Sequence, residues 1–414
     1  MPHQPLRFEP YMRDDPACAV VAVTPPEQAH MHTYYDLTPW SPSGRYLTSL
    51  RLPYEDHEPA PGDRAEVCVI DLAEQTVQPV YRTAAWGFQK GAHQQWGRTD
   101  QFLYLNDMRD DRPVGVQLDL TTGKPRLLDG PIWQVSPDET YAICPCLIRA
   151  NLTQRSYGVS VKPENELYNT DRAADDDGLY RVDLGSGRQT LLVSLAQIWE
   201  HLADRDDLPP GSVLYAFHAK FNPQGTRILL VVRARTPDGR YRPQMVTFKP
   251  DGSDIRTVVT HHEWARGGHH PMWYPDSKRI LMCAVIDDTG YHFCLVDGVT
   301  GHPEILIDDP RGTGHPIVNR DCTFLVTDAT YEESGRRRVG VRLVNLKDKA
   351  WQDICWVESP LATGEQAPLR RDAHITWDRP GKRLLFLGAP TGGRQLFIAD
   401  PAAPPGAMPS LFDG

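Results

Sequence analysis

Five histidines, His93, His218, His270, His315 and His374, each stand three residues ahead of an aromatic or β-branched residue that opens a short recurring segment. The segment occurs seven times, and the two remaining equivalent positions hold Leu37 and Ile132. With 15 histidines among 414 residues, chance does not gather five of them at seven places. Neutral imidazoles brought together suit a divalent transition metal, general acid–base work, or both. A repeat can also keep a histidine for a backbone hydrogen bond between units, but Leu37 and Ile132 show that the repeat does not need one. Asp372, two residues before His374, could add an oxygen ligand. Arginine is the natural clamp for a carboxylate, and Arg233, Arg235, Arg240 and Arg242 lie together in VVRARTPDGRYRPQM. Tyr157, in RSYGVS, reads equally as a residue reaching over the site or as a buried core tyrosine. His261, His262 and His269 fall outside the register and read as loop residues.

The elements that must carry these groups are seven hairpins: WSPSGRYLTSL, WGRTDQFLYLN, VSPDETYAICP, FNPQGTRILLV, WYPDSKRILMC, VNRDCTFLVTD and WDRPGKRLLFL. Each is an aromatic or β-branched residue, a polar turn and an apolar strand, followed by a second strand running into a tight turn, as in VCVIDLAEQ or GLYRVDLGSGR. A repeat on the order of 50 residues that alternates in this way suits four-stranded propeller blades with loop insertions. A lone blade cannot bury both faces of its sheet, so blades must stack. The expected fold is all-β, a single seven-bladed β-propeller over residues 1–414. The last blade is short of a strand, which CAVVAVT (18–24) could supply. The long gap between the third and fourth hairpins predicts an insertion over about 149–210, with an amphipathic helix at 194–205. In such a fold the registered histidines begin the innermost strands and converge on the mouth of a central channel.

Composition limits the partners. The net charge is −10 with no basic block, which argues against nucleic acid. An acidic chain that binds an anionic substrate must concentrate its positive charge in the site. No apolar run is long enough for a membrane span, the N-terminus lacks a basic-then-apolar leader, and eight scattered cysteines suggest neither a disulfide framework nor a zinc ribbon. A soluble, cytoplasmic protein is expected, and no sequence mark sets its oligomeric state.

The segments FHAKFNPQG, HHPMWYPDS, GHPIVNRDC and DAHITWDRP resemble those of the oligogalacturonate lyases and, more widely, the propeller polysaccharide lyases. The resemblance covers nearly the whole chain as a blade pattern and is sharpest from about 211 to 400. It implies a cytoplasmic enzyme that cleaves a uronic-acid-containing oligosaccharide by β-elimination, with a manganese-type ion in the propeller mouth. It places metal ligands at His315 and His374, and an arginine acting as base at or near Arg242. The family's Gln-x-x-His-Pro-His-Pro motif stands here as LRRDAHI, so Leu369 replaces the Gln and Asp372 the first His, a change towards a harder ion such as Ca2+ beside Mn2+. His93, in GAHQQWG, is instead similar to lyases of rhamnose–glucuronate linkages, where a histidine and a tyrosine serve catalysis; Tyr157 would be that tyrosine. On this resemblance His93, His218, His270 and Tyr157 share proton transfer and Arg242 neutralises charge or acts as base. The competing expectation is a non-catalytic TolB-like propeller that binds a protein or carbohydrate. A peptidase propeller is excluded, because no G-x-S-x-G nucleophile segment is present.

Overall fold

The structure, a computed structural model, describes residues 3–333, 336–360 and 362–411. Its strands form seven antiparallel up-and-down sheets, the blades of a seven-bladed β-propeller. Blade 1 runs through His30–Met31, Tyr46–Arg51, Ala65–Asp71 and Thr76–Thr83, with Gln4–Pro5 on its outer edge. Blades 2 and 3 begin at Gln95–Trp96 and Gln134–Val135, blade 4 at Val213–Phe221 and blade 5 at Gly268–Trp273. Blades 6 and 7 begin at Ile317–Val318 and Thr376–Trp377. In blade 7 the strand Ala19–Ala22 pairs antiparallel with Gln395–Asp400. The chain divides into two compact units: blades 1, 2, 6 and 7 in one, and blades 3, 4 and 5, with the 110–115 turn, in the other.

Local chemistry explains the hairpins. The first residue of each recurring segment pairs with the first residue of the following strand, as in Trp40↔Leu47, Trp96↔Leu103, Phe221↔Ile228, Trp273↔Ile280 and Trp377↔Leu384. Four residues on, the backbone is left-handed at Gly44, Glu139, Gly225, Ser277, Cys322 and Gly381. There the amide closes a turn onto the carbonyl three residues back, for example Gly225 N–H to Asn222. This is a type I turn finished by one left-handed residue, a common short hairpin. In Ile228–Arg235 the run Ile228, Leu229, Leu230, Val231 and Val232 is wholly buried. Burial on both faces turns the alternating pattern of a one-sided sheet into a continuous apolar run. The outermost strand of blade 2, Lys124–Leu127, is exposed throughout and carries charge, which blunts an unpaired edge.

Three of the four recurring tryptophans have a second task. Trp96 Nε1 donates to the Pro39 carbonyl at 2.8 Å, Trp273 Nε1 to Lys220 at 3.0 Å and Trp377 Nε1 to Ile317 at 3.3 Å. In each case the acceptor is the residue just before the equivalent position of the preceding blade, so one bond type recurs between blades 1 and 2, 4 and 5, and 6 and 7.

Among the described residues three α-helices accompany the sheets: α1 (Leu147–Thr153), α2 (Leu195–Trp199) and α3 (His261–Arg266). The additional chain falls in two places, 146–177 inside blade 3 and 195–212 between blades 3 and 4. The helix expected over 194–205 is confined to α2, with Ser194 and Gln197 forming a capping box. Beyond it, Thr257 Oγ1 donates to the His201 carbonyl and accepts from the Ala203 amide, and these bonds take the backbone groups that a longer helix would need. α3 also starts on a capping box, Thr260 with Glu263, a signal visible in T-H-H-E.

Trp273→Phe keeps the buried ring and removes its donor to Lys220. The expected loss is about 1 to 2 kcal/mol of unfolding free energy, read from urea denaturation. Loss of more than about 3 kcal/mol would mean that ring packing, not this bond, dominates.

Candidate active site

Each registered histidine lies two residues before the paired start of its blade's inner strand, or in a bulge at that place. Between Ala216 and Ala219, and again between His269 and Met272, the pairing gains one residue on the inner strand. Such bulges re-aim side chains, and they hold Phe217–His218 and His270–Pro271. His93, His270 and His374 have φ of 54°, 54° and 44°. A side chain other than glycine, asparagine or aspartate seldom occupies this left-handed region, and strain of this kind collects at functional sites.

In the unit of blades 3 to 5, His270 and His315 stack with ring centroids 3.7 Å apart and planes 26° apart. His270 Nδ1 lies 2.6 Å from the Gly314 carbonyl and 2.9 Å from His269 Nδ1. A carbonyl can only accept, so Nδ1 of His270 carries the proton and Nε2 holds the lone pair. Burial pushes the His270 imidazole well below its ordinary 6.5, and the neighbouring His315 and His269 push it further the same way. It is a neutral base at physiological pH. Lys220, almost fully buried, donates to the Pro271 carbonyl at 2.7 Å, beside the His270 bulge.

His218 forms a second group in the same unit. Its ring meets Trp133, Phe217 and Tyr157 edge-on, the Tyr157 centroid 5.5 Å away. Tyr157 is buried at the end of the loop that follows α1. Gly158 lets that loop close: a Cβ there would stand 1.9 Å from the Leu147 carbonyl oxygen. Arg233 lies over the Phe217 ring at 3.7 Å and donates to Gln154 Oε1 at 2.7 Å. Arg242 pairs across the sheet with Ala234, whereas Arg233 pairs with Pro243. Alternation along the strands therefore sets Arg242 on the opposite face from Arg233. The arginine that approaches His218 is Arg233.

In the unit of blades 1, 2, 6 and 7, the His374 ring lies 4.4 Å from Tyr34 and 6.3 Å from His32. Tyr34 in turn carries Lys90 Nζ at 4.2 Å over its ring, and the fully buried Lys90 lies 3.4 Å from Asp36. Asp372 Oδ2 is 4.0 Å from His374 Nε2 and accepts from Arg370 Nε at 2.7 Å; Arg337 lies 4.0 Å from Oδ1. An ion with donors about 2.1 Å away on either side bridges up to roughly 4.2 Å, so Asp372 and His374 suit a shared cation. His93 is buried in the same unit, with its carbonyl accepting from Gln95 Nε2 at 3.1 Å.

Sequence reasoning preferred Arg242 to Arg233 among the four clustered arginines, and it missed His32, Lys90, Lys220 and the pair Arg337 and Arg370. Two of these carried a signal: Lys90 stands three residues before His93, and Lys220 two after His218. Lysines in otherwise apolar, registered segments stand out against the rule that lysine stays exposed.

No protein-family model matches the chain, and no curated protein matches it in sequence. In three dimensions it is similar to an oligogalacturonate lyase in complex with manganese, at 17% identity and a TM-score of 0.69, with 96% of this chain and 97% of that one covered. It is also similar to the oligogalacturonate lyase of Vibrio parahaemolyticus, at 14% identity and a TM-score of 0.68 over 96% and 98% of the two chains. A prolyl endopeptidase matches at 11% identity and a TM-score of 0.51, over 90% of this chain but 50% of that one. At such identities the likeness is one of fold, a seven-bladed β-propeller. Among the described residues no helix is long and apolar enough to cross a membrane.

Burial also lowers His30 to about 3 and His32 to about 4. The unfolded chain protonates these imidazoles below about pH 6.5 while the folded chain does not, so stability rises with pH from about 4 to 6.5 and is level above. Each contributes about 1.4 kcal/mol per pH unit in that window. His32→Gln should flatten the pH dependence of urea unfolding between pH 5 and 6.5 by about one proton. An unchanged slope would show that His32 is charged in the fold.

Proposed function

We propose that the chain is a lyase that cleaves a uronic-acid-containing oligosaccharide, of oligogalacturonate or rhamnose–glucuronate type, by β-elimination in the cytoplasm. The observation that carries this reading is the set of five histidines at one blade position, three of them held in left-handed backbone. A scaffold that only stacks blades has no use for strained imidazoles there. The similarity in fold to two oligogalacturonate lyases points the same way.

Elimination removes the C5 proton, α to the carboxylate, and expels the oxygen on C4. The substrate carboxylate is already anionic, so its charge must be neutralised before a second develops on the enolate. In the proposal His315, Asp372 and His374 hold a divalent cation, Mn2+ or Ca2+, which when bound would supply that electrophilic charge. Arg370 and Arg337, already on Asp372, add positive charge beside it. Nε2 of His270 takes the C5 proton, supported by the tautomer that the Gly314 carbonyl imposes. The electron pair of the C5–H bond becomes the C4–C5 double bond as the C4–O bond breaks, and Tyr157 gives its proton to the departing oxygen. His218 orients Tyr157, whose phenolate regains a proton from solvent as His270 gives up the C5 proton to solvent, while His93 receives the leaving sugar's hydroxyl. Arg233 is the nearer arginine to this group, and Arg242 serves the carboxylate of a neighbouring sugar in the chain.

The test is near-ultraviolet absorbance on galacturonides and rhamnose–glucuronate fragments, with and without chelator, because elimination leaves a conjugated unsaturated uronate. Absorbance should rise with one of them and fall away on chelation. His270→Asn, which tolerates the left-handed backbone, should lower kcat/KM by about 100-fold or more. The acidic limb of the pH profile should lie below 6.5, because the base is depressed beneath that value. Folded protein that binds an oligouronide but gives a flat trace with every substrate would leave a binding propeller instead.

A further inference from the structure

The connection from blade 3 to blade 4 and that from blade 4 to blade 5 meet at a group of side chains outside the proposed active site. Asp204, in the first connection, and His261 and His262, at the start of α3 in the second, bring one ligand atom each within 4.8 Å of one another. Asp204 Oδ2 accepts from the amides of His261 at 2.8 Å and His262 at 3.4 Å, and lies 3.4 Å from His261 Nε2. The side chains of Asp204 and His261 are 7% and 6% exposed. Neither Oδ1 of Asp204 nor Nε2 of His261 makes a hydrogen bond among the described residues. A carboxylate oxygen and an imidazole nitrogen buried side by side, each with a lone pair unused, are what a cation satisfies.

We propose that Asp204, His261 and His262 form a second divalent-metal site, suited to Zn2+. Two imidazoles and one carboxylate match the borderline character of zinc. Donors about 2.1 Å from a tetrahedral ion lie about 3.4 Å apart; His261 Nε2 is 3.4 Å from Oδ2 of the Asp204 carboxylate, whose other oxygen, Oδ1, is the one without a hydrogen bond. Asp207 Oδ2 stands 3.0 Å from His262 Nε2. A carboxylate on the outer nitrogen fixes the tautomer of a ligating histidine and raises its basicity, so His262 binds through Nδ1. The three protein ligands leave one position for water. Because α3 runs directly into Gly268–Trp273, the ion braces the segment that carries His269 and His270. The pair of histidines in T-H-H-E thus does more than begin a helix.

The experiment measures Zn2+ bound per chain, by metal analysis after chelation and dialysis against Zn2+, together with the visible spectrum of the Co2+ form. It is run in a His374→Ala background, which removes a ligand of the proposed active-site ion. One Zn2+ should remain, with a tetrahedral Co2+ spectrum. His262→Ala should abolish that spectrum and weaken Zn2+ at least about 100-fold, and Asp207→Asn should weaken it about 10- to 100-fold. Asp204→Asn also disturbs the cap of α3, so the exposed His262 and Asp207 carry the test, with circular dichroism confirming their fold. Absence of bound Zn2+ in the His374→Ala protein, or binding indifferent to His262→Ala, overturns the site and leaves Asp204 and His261 as a simple ion pair.

Discussion

The indole of three of the four recurring tryptophans, Trp96, Trp273 and Trp377, donates to a carbonyl of the preceding blade, and the placing of those blades depends on that interaction. It is the same bond at Trp96, Trp273 and Trp377, always onto the residue before the equivalent position. A sheet with both faces apolar has no way to choose its rotation against its neighbour by burial alone, because the hydrophobic effect has no direction. One hydrogen bond from a large, rigid ring supplies the direction. In those three blades it also anchors the strand start, and with it the residue three positions earlier.

That division of labour accounts for the histidines. Stitching falls to the aromatic residue, leaving the residue three before it free for chemistry, and the chain spends that freedom in different ways. Leu37 and Ile132 leave it apolar. His218 and His270 occupy bulges, and His93, His270 and His374 accept left-handed backbone. Buried positive charge close by, from Lys90 and Lys220, is costly unless partnered; Asp36 meets the first and a backbone carbonyl the second. Among these imidazoles His270 stays neutral, in a chain whose overall charge is strongly negative.

The blades were legible because their signal is local and repeated. An aromatic, a polar turn and an apolar strand occur seven times, and period and turn chemistry agree in each copy. Membership of the histidine register followed from counting, since every registered position is fixed by the same turn. The side of a strand on which an arginine lies was not legible: VVRAR and GRYRPQM differ by one residue in which arginine meets Phe217, and only the cross-strand register of Arg233 with Pro243 decides it. The helix expected at 194–205 failed for a related reason. Its periodicity was sound, but Thr257, far along the chain, takes the backbone groups that it needed. His261 and His262 read as loop residues because their partner, Asp204, lies in another connection.

The pairing of Ala19–Ala22 with Gln395–Asp400 has a consequence for synthesis. The strand Ala19–Ala22 must wait until Gln395–Asp400, several hundred residues later, before its partner exists. The contact is among the most non-local the sequence contains, and such contacts form late because the intervening loop must first be closed. During that interval the apolar strand Ala19–Ala22 stays unpaired, a state open to mispairing between nascent chains. Blades 3 to 5, complete within a continuous run, carry no such delay, so the order of folding is written into the topology: middle blades early, blade 7 last.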